Sequence, residues 1–240
     1  WTIDVTFITP SEKTFSARLT HLNGQRLDKF ALPSEETIQT VVDKIEKSNF
    51  SVHSIEKKRV KRNPQPPFTT STLQQEASRK LGMGASRTMQ TAQRLYEGID
   101  IGGETVGLIT YMRTDGVQMS QEAVTAARQF IKSDYGDAFV PEKPRIYKSK
   151  AKNAQEAHEA VRPTDITRSP KTLKAYLDGD QERLYDLIWK RSVASQMASA
   201  ELDQTSVMVK SSDKEITLRS SGSIIAFEGF LKVYQEDQDD

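Results

Sequence analysis

The sequence predicts an α+β, multidomain fold in which a β-rich domain is interrupted by a mainly helical one. Three observations carry that prediction. Both ends of the chain alternate apolar and polar residues with the period of half-buried strands. The middle repeats apolar residues at helical spacing behind recognisable caps. Pro64, Pro66 and Pro67 break the chain where the first pattern gives way to the second. The expected boundaries are 1–65 for the first part of the β-rich domain, 66–197 for the helical domain and 198–240 for the returning β-rich part.

In order, residues 1–7 (WTIDVTF) read as a strand, and Phe15, Ala17 and Leu19 repeat the pattern before Asn23-Gly24 supplies a hairpin turn. Ser34 is a candidate N-cap, with Glu35 and Glu36 in the first turn and Ile38, Val41, Val42 and Ile45 on one face. Phe50 and Val52 open another strand that runs out into the basic stretch 57–62, which reads as a solvated edge or linker, or else as a phosphate-facing connector. Thr70, Ser71 or Thr72 caps the next helix, with Gln74 or Gln75 completing a capping box, Leu73, Ala77 and Leu81 inward, and Gly82 at its end. Ser86 caps a second helix with Met89, Ala92, Leu95 and Tyr96 inward and Arg87, Gln90, Gln93 and Arg94 on its polar face. Two short helices around a Gly turn, followed by two short strands through Gly102-Gly103, resemble a helix-turn-helix with a wing; a plain helical hairpin fits the same pattern.

Further on, Ser120 caps a helix that carries Val124, Ala127, Phe130 and Ile131 inward and stops at Gly136. Residues 140–152 form an irregular basic segment with Tyr147 interleaved. A short helix is expected over 153–160. Ser169-Pro170 opens another helix with Leu173, Tyr176 and Leu177 buried, and Gly179-Asp180 opens a last one with Leu184, Leu187, Ile188 and Arg191 along one side. Strands return at Val207 and Val209, Ile216 and Leu218, and from Ile224 to Val233.

Composition narrows the function. With 34 Lys+Arg against 33 Asp+Glu the net charge is +1, so the chain is not a globally basic nucleic-acid glue and any such contact must be local. The absence of Cys removes disulfides and thiolate metal sites, and no apolar run is long enough to span a bilayer. There is no phosphate-binding Gly-rich loop, and no Asp/Glu cluster with metal-ligand spacing. His158 in AHEAVRP lacks the second His that a zinc protease helix needs, because that position holds Arg162. His158 and Arg162, one helical turn apart, are expected to face the same side. Starting at Trp1 and ending in a polar acidic stretch that is expected to fray, the chain reads as a piece of a longer polypeptide.

The stretch with the clearest chemistry is GLITYMRTDG at 107–116. Its β-branched, aromatic and apolar residues favour an extended strand, closed by the turn signal Asp115-Gly116. In such a strand Tyr111 and Arg113 share a face, with Asp115 next along. A phenol beside a guanidinium has the parts of a nucleophile with a phosphate clamp that also favours the phenolate. Spacing alone fits a structural tyrosine with a solvated arginine better.

GLITYMRTDG resembles the active-site segment of bacterial type IA DNA topoisomerases. PPFTTSTLQQEASRKLGM (66–83), TMQTAQRLYEG (88–98), QEAHEAVRPTD (155–165) and LYDLIWKRSVASQM (184–197) resemble the same family in the same order. The resemblance implies that Tyr111 attacks a DNA phosphodiester and forms a 5′-phosphotyrosyl link, and that Arg113 contacts the scissile phosphate. It implies that Asp115 supports the segment and that His158 and Arg162 lie near a nucleotide-binding surface, with Arg87 and Arg94 as further DNA contacts. Gly116 departs from the family, which usually carries Ser there. The resemblance also implies a β-rich arch around the tyrosine-bearing domain, pivots near Pro64 and Met197, and relaxation of negatively supercoiled DNA without ATP. The expected partners are single-stranded or underwound DNA and the remaining domains of the same polypeptide, in a monomeric, cytoplasmic, nucleoid-associated enzyme. Mg²⁺ is expected in the full-length enzyme on a Toprim domain, with no ligands in this chain. The rival readings are a non-catalytic winged-helix-like DNA-binding module and a structural domain whose tyrosine only packs.

Overall fold

A computed structural model describes residues 1–28, 30–148 and 158–235. Its elements run β1 (Asp4–Ile8), β2 (Thr14–Leu22), β3 (Gln25–Arg26), α1 (Glu35–Glu46), β4 (Phe50–Arg62), α2 (Thr70–Leu81), α3 (Ala85–Glu97), β5 (Ile99–Asp100), β6 (Thr105–Val106), α4 (Gln121–Tyr135), α5 (Pro170–Leu173), α6 (Gly179–Ser195), β7 (Ala200–Ser211) and β8 (Thr217–Phe227). The chain forms two compact units, Trp1–Lys61 with Glu201–Ala226, and Arg62–Ala200 with Phe227 onward. This is the α+β architecture the patterning predicts. Among the described residues no helix is long and apolar enough to cross a membrane.

The first unit is a sheet ordered β1-β2-β8-β7-β4, with β3 paired to β2. Asn23 and Gly24 both take positive φ, 50° and 74°, which makes the predicted tight turn between β2 and β3. Helix α1 starts at Ser34, whose side chain accepts the Thr37 N–H, and it buries Val41 and Ile45 against Ala17, Leu19, Val209, Ile216 and Leu218. The basic stretch is not a linker. It continues β4 to Arg62 on the edge of the sheet, and its alternate cations find acids on β7: Arg59 pairs with Asp203 at 2.8 Å and Lys61 with Glu201 at 3.5 Å. Charge on an edge strand also discourages pairing with other chains.

The second unit is built on helices. Thr69, one residue before the expected caps, is the N-cap of α2, and Thr72 rather than a glutamine completes its capping box. Gly82 ends the helix at φ 65° as predicted. The cap of α3 is Gly84 with no side-chain bond, so Ser86 lies inside the helix. Strands β5 and β6 pair antiparallel directly after α3, where the two short strands of a wing are expected. Ser120 and Ser169 cap α4 and α5 as expected, although α5 is only four residues long and Tyr176 is exposed. Asp178 caps α6, in a box with Gln181. Most of α6 is buried: Leu184, Tyr185, Ile188 and Val193 are fully enclosed, and burial pushes the Tyr185 hydroxyl well above its ordinary value.

Two expectations fail at the end of the chain. The strand predicted from Ile224 to Val233 stops at Phe227, and a 3-10 turn over Gly229–Lys232 follows. That turn belongs to the helical unit, so 198–240 does not return wholly to the β-rich part. Phe230 is fully buried, its N–H donates to Ala198 O at 2.9 Å, and the Tyr234 hydroxyl donates to Glu76 at 2.6 Å. The acidic end (236–240), Lys150, Lys152 and the first five residues of the helix expected at 153–160 lie outside the described residues. His158, Glu159 and Ala160 are not helical.

Arg145 and Tyr147, from the basic segment, fasten the chain crossings inside the second unit. The Arg145 guanidinium donates to Met197 O and Ser199 Oγ at 2.7 Å, and the Tyr147 hydroxyl lies 2.8 Å from Ser195 O and 3.2 Å from Pro64 O. Their side chains serve the fold.

Candidate active site

Residues 107–116 do not form a regular strand. Only Ile109 makes a bridge, to Pro163, and the segment is instead pinned from two sides by threonines. On one side the Thr110 N–H donates to Arg162 O at 2.9 Å, and its hydroxyl donates to Ala160 O at 2.7 Å. The Arg162 N–H returns a bond to Thr110 Oγ1 at 3.0 Å, while Thr164 donates to Leu108 O and Gly107 O. On the other side Thr70, at the start of α2, donates its N–H to Thr114 O and its hydroxyl to Met112 O, and accepts the Thr114 N–H at 2.8 Å. A mixed apolar and threonine-rich run therefore meets its backbone hydrogen-bond requirement without a sheet.

Exposure nevertheless alternates along it. Met112 and Thr114 are buried, whereas Tyr111, Arg113 and Asp115 are exposed. The Tyr111 ring is 38% exposed and lies between two other rings, Tyr96 at 5.5 Å edge-on and His158 at 5.5 Å tilted. Among the described residues its hydroxyl has no hydrogen-bond partner, and the Arg113 guanidinium has no ion-pair partner. Arg113, Asp115 and His158 line a polar cavity of about 530 Å³ with Thr69, Thr70 and Ser71 at the first turn of α2.

Gly116 allows the close approach on which this arrangement depends. A Cβ there would fall 2.2 Å from His158 O and 3.2 Å from the Glu159 carbonyl carbon. Gly107 has the same use beside Tyr96 O, 2.7 Å from its missing Cβ. Each glycine brings the tyrosine segment against the backbone of a residue whose ring touches Tyr111.

The other expected residues are placed differently. Arg162 is a clamp and not a surface contact: its side chain is 12% exposed, and it donates to Glu159 Oε2 at 2.6 Å and Pro163 O at 2.9 Å. Arg87 makes a two-pronged pair with Asp180 at 2.6 and 2.9 Å, and Arg94 meets Asp178 at 3.2 Å, so both tie α3 to the start of α6. The Asp180 carboxyl is held below its ordinary value by hydrogen bonds from Arg87 and then Arg183. Sequence reasoning missed Tyr96. At helical spacing it reads as core, yet it is 40% exposed and packs on the Tyr111 ring. Among the described residues no group of three or more His, Asp or Glu is placed to hold a metal ion.

Two predictions follow from the pinning. Thr70→Val removes a hydroxyl that serves Met112 O and leaves the Thr114 N–H without its acceptor. It is expected to cost about 1–3 kcal/mol in denaturant unfolding, and Thr70→Ser is expected to restore most of that. The second concerns Glu159. Burial alone would raise its carboxyl, but the Arg162 hydrogen bond, the Ser120 N–H at 2.9 Å and the guanidinium charge outweigh it and lower it. A lowered folded-state value stabilises the fold above the unfolded carboxyl value of ~4.3. That contribution is lost as pH falls through the folded value. The Ser120 amide resonance is expected to titrate below pH ~4.3, and a midpoint above it contradicts the latch.

The chain is similar to known proteins along its whole length. A family model described as DNA topoisomerase matches residues 1–240. DNA topoisomerase 1 of Rickettsia bellii is 53% identical over 240 residues, all of this chain and 30% of that protein. DNA topoisomerase 1 of Xylella fastidiosa strain 9a5c is 46% identical over 243 residues, with 30% of its length covered. The structure of full-length topoisomerase I from Thermotoga maritima superposes with a TM-score of 0.77 at 30% identity, over 99% of this chain and 36% of that one. The chain thus spans about a third of the length of these relatives. With a model matching end to end and relatives at half identity over the whole chain, this chain belongs to the DNA topoisomerase family.

Proposed function

We propose that this chain is the nucleophile-bearing part of a type IA DNA topoisomerase that relaxes negatively supercoiled DNA. The observation that carries the reading is an exposed phenol on a pinned backbone, two residues from a guanidinium, its hydroxyl unengaged and the guanidinium without an ion pair among the described residues. In the reaction the Tyr111 oxygen attacks a phosphodiester of single-stranded DNA and loses its proton. The bond from phosphorus to the 3′-oxygen breaks, that oxygen leaves with a proton, and a 5′-phosphotyrosyl ester forms. The ester retains the phosphodiester's energy, so the reverse attack by the 3′-hydroxyl reseals the strand without ATP. Arg113 supplies a fork of N–H donors to the phosphate. Asp115 borders the same cavity as Arg113, and His158 bounds the phenol on one side.

Catalysis needs the rest of the polypeptide, which provides the acid for the leaving 3′-oxygen and the Toprim acidic cluster. Mg²⁺ on that cluster would neutralise phosphate charge; the residues described here do not fit the ion. The enzyme acts as a monomer on underwound DNA in the bacterial cytoplasm, at the nucleoid. A non-catalytic winged-helix-like module is the weaker reading, because Arg87 and Arg94 are engaged with Asp180 and Asp178.

The test is the full-length protein with an end-labelled single-stranded oligonucleotide, trapped in denaturant. A protein–DNA adduct whose labelled peptide contains residue 111 is expected. An adduct mapped to another tyrosine, or none under conditions that relax plasmid, overturns the assignment.

A further inference from the structure

Arg113 borders a second groove besides the polar cavity at α2. This one, of about 740 Å³, runs along the outer face of α3 and is lined by Ser86, Met89, Gln90, Gln93, Arg94 and Glu97 together with Arg113. Those helix residues recur at three- and four-residue spacing, so they form one stripe. The stripe from 86 to 97 is about 16 Å long. Glu97 at its last turn is next to Tyr96, whose ring packs on Tyr111. The groove therefore joins the α3 face to Arg113, two residues from the proposed nucleophile.

Resting on the proposed reaction, we infer that this groove holds the nucleotides on the 3′ side of the break, the strand that stays attached to Tyr111. The 5′-phosphate on Tyr111 begins that strand, and its next nucleotides must leave along a surface continuous with Arg113. The α3 face supplies neutral groups suited to bases. Gln90 is exposed and Gln93 half-buried, each amide offers both donors and an acceptor to a base edge, and Met89 offers an apolar, polarizable surface. Gln93 already donates to Glu97, which limits that carboxylate's repulsion of the strand. Arg94 meets Asp178 through a single contact at 3.2 Å and is exposed, so it adds weak attraction rather than a fixed phosphate clamp. The cavity at α2, with the Asp115 carboxylate in its wall, is less suited to a run of nucleotides.

The groove separates from the nucleophile reading experimentally. The full-length protein carrying Tyr111→Phe is titrated with single-stranded oligonucleotides that share one 5′ part and extend by increasing lengths past the cleavage position. Affinity is expected to rise with each added 3′ nucleotide over the first few. In the Gln90→Ala/Gln93→Ala background this gain is expected to shrink about tenfold, while oligonucleotides ending at the cleavage position bind as before. Because the readout is non-covalent, it stands whether or not Tyr111 proves to be the nucleophile. An unchanged gain in the double variant overturns the inference, as does an equal loss of affinity at every length. Unaltered thermal unfolding of the variant excludes misfolding, and both replaced residues lie on the outer face of the helix.

Discussion

Tyr111→Phe in the full-length protein is expected to reduce covalent DNA capture by roughly four orders of magnitude or more, the scale seen when a nucleophile is removed. Fold and non-covalent binding should be nearly untouched. The lost oxygen has no hydrogen-bond partner among the described residues, so unfolding should shift by no more than ~0.5 kcal/mol. The phenylalanine ring keeps the contacts to Tyr96 and His158, each at 5.5 Å. Denaturing gels with labelled oligonucleotide and a denaturant titration read the two quantities. Persistent adduct would remove Tyr111 from the chemistry. A large stability loss would instead mean that the hydroxyl is built into the core, in line with the structural reading of this tyrosine.

Gly116→Val is expected to be the most damaging replacement near the site that removes no chemical group. Its Cβ would lie 2.2 Å from His158 O, which is backbone and cannot swing aside. Either the tyrosine segment or the 158–159 backbone must move, at a cost of about 3 kcal/mol for overpacking of this severity. The Thr114 hydroxyl that accepts the Gly116 N–H at 2.9 Å lies 3.1 Å from the new atom, so it too must give by a few tenths of an ångström. Displacing His158 takes away one of the two rings that flank the nucleophile. Both the unfolding midpoint and the rate of adduct formation should therefore fall. A variant with normal stability and normal capture would show that the close approach is dispensable.

Much of this was legible because it is written in local chemistry. Ser34, Ser120 and Ser169 announce helix starts, Gly82 a helix end and Asn23-Gly24 a turn, since each satisfies or relaxes neighbouring backbone groups. The alternate exposure of Tyr111, Arg113 and Asp115 was readable from the apolar and polar pattern, although the segment pairs with loops and forms no regular strand. What was hidden depended on distant partners. The run of cations in β4 looks solvated until Glu201 and Asp203, about 140 residues later, are set beside it. Arg87 looks like a DNA contact until Asp180, 93 residues later, is set beside it. Tyr96 and Met89 carry helical spacing that reads as core, but α3 turns that edge towards the tyrosine and the groove.

The threonine pinning of residues 107–116 limits what the nucleophile can do on its own. With main-chain bonds on both flanks, Tyr111 can move relative to the rest of its unit only through its two side-chain torsions. In the proposed reaction a severed strand tethered to it would be carried on a short, stiff stalk, without a flexible loop's range of positions. Resealing would then return the two ends to the phosphate from which they parted.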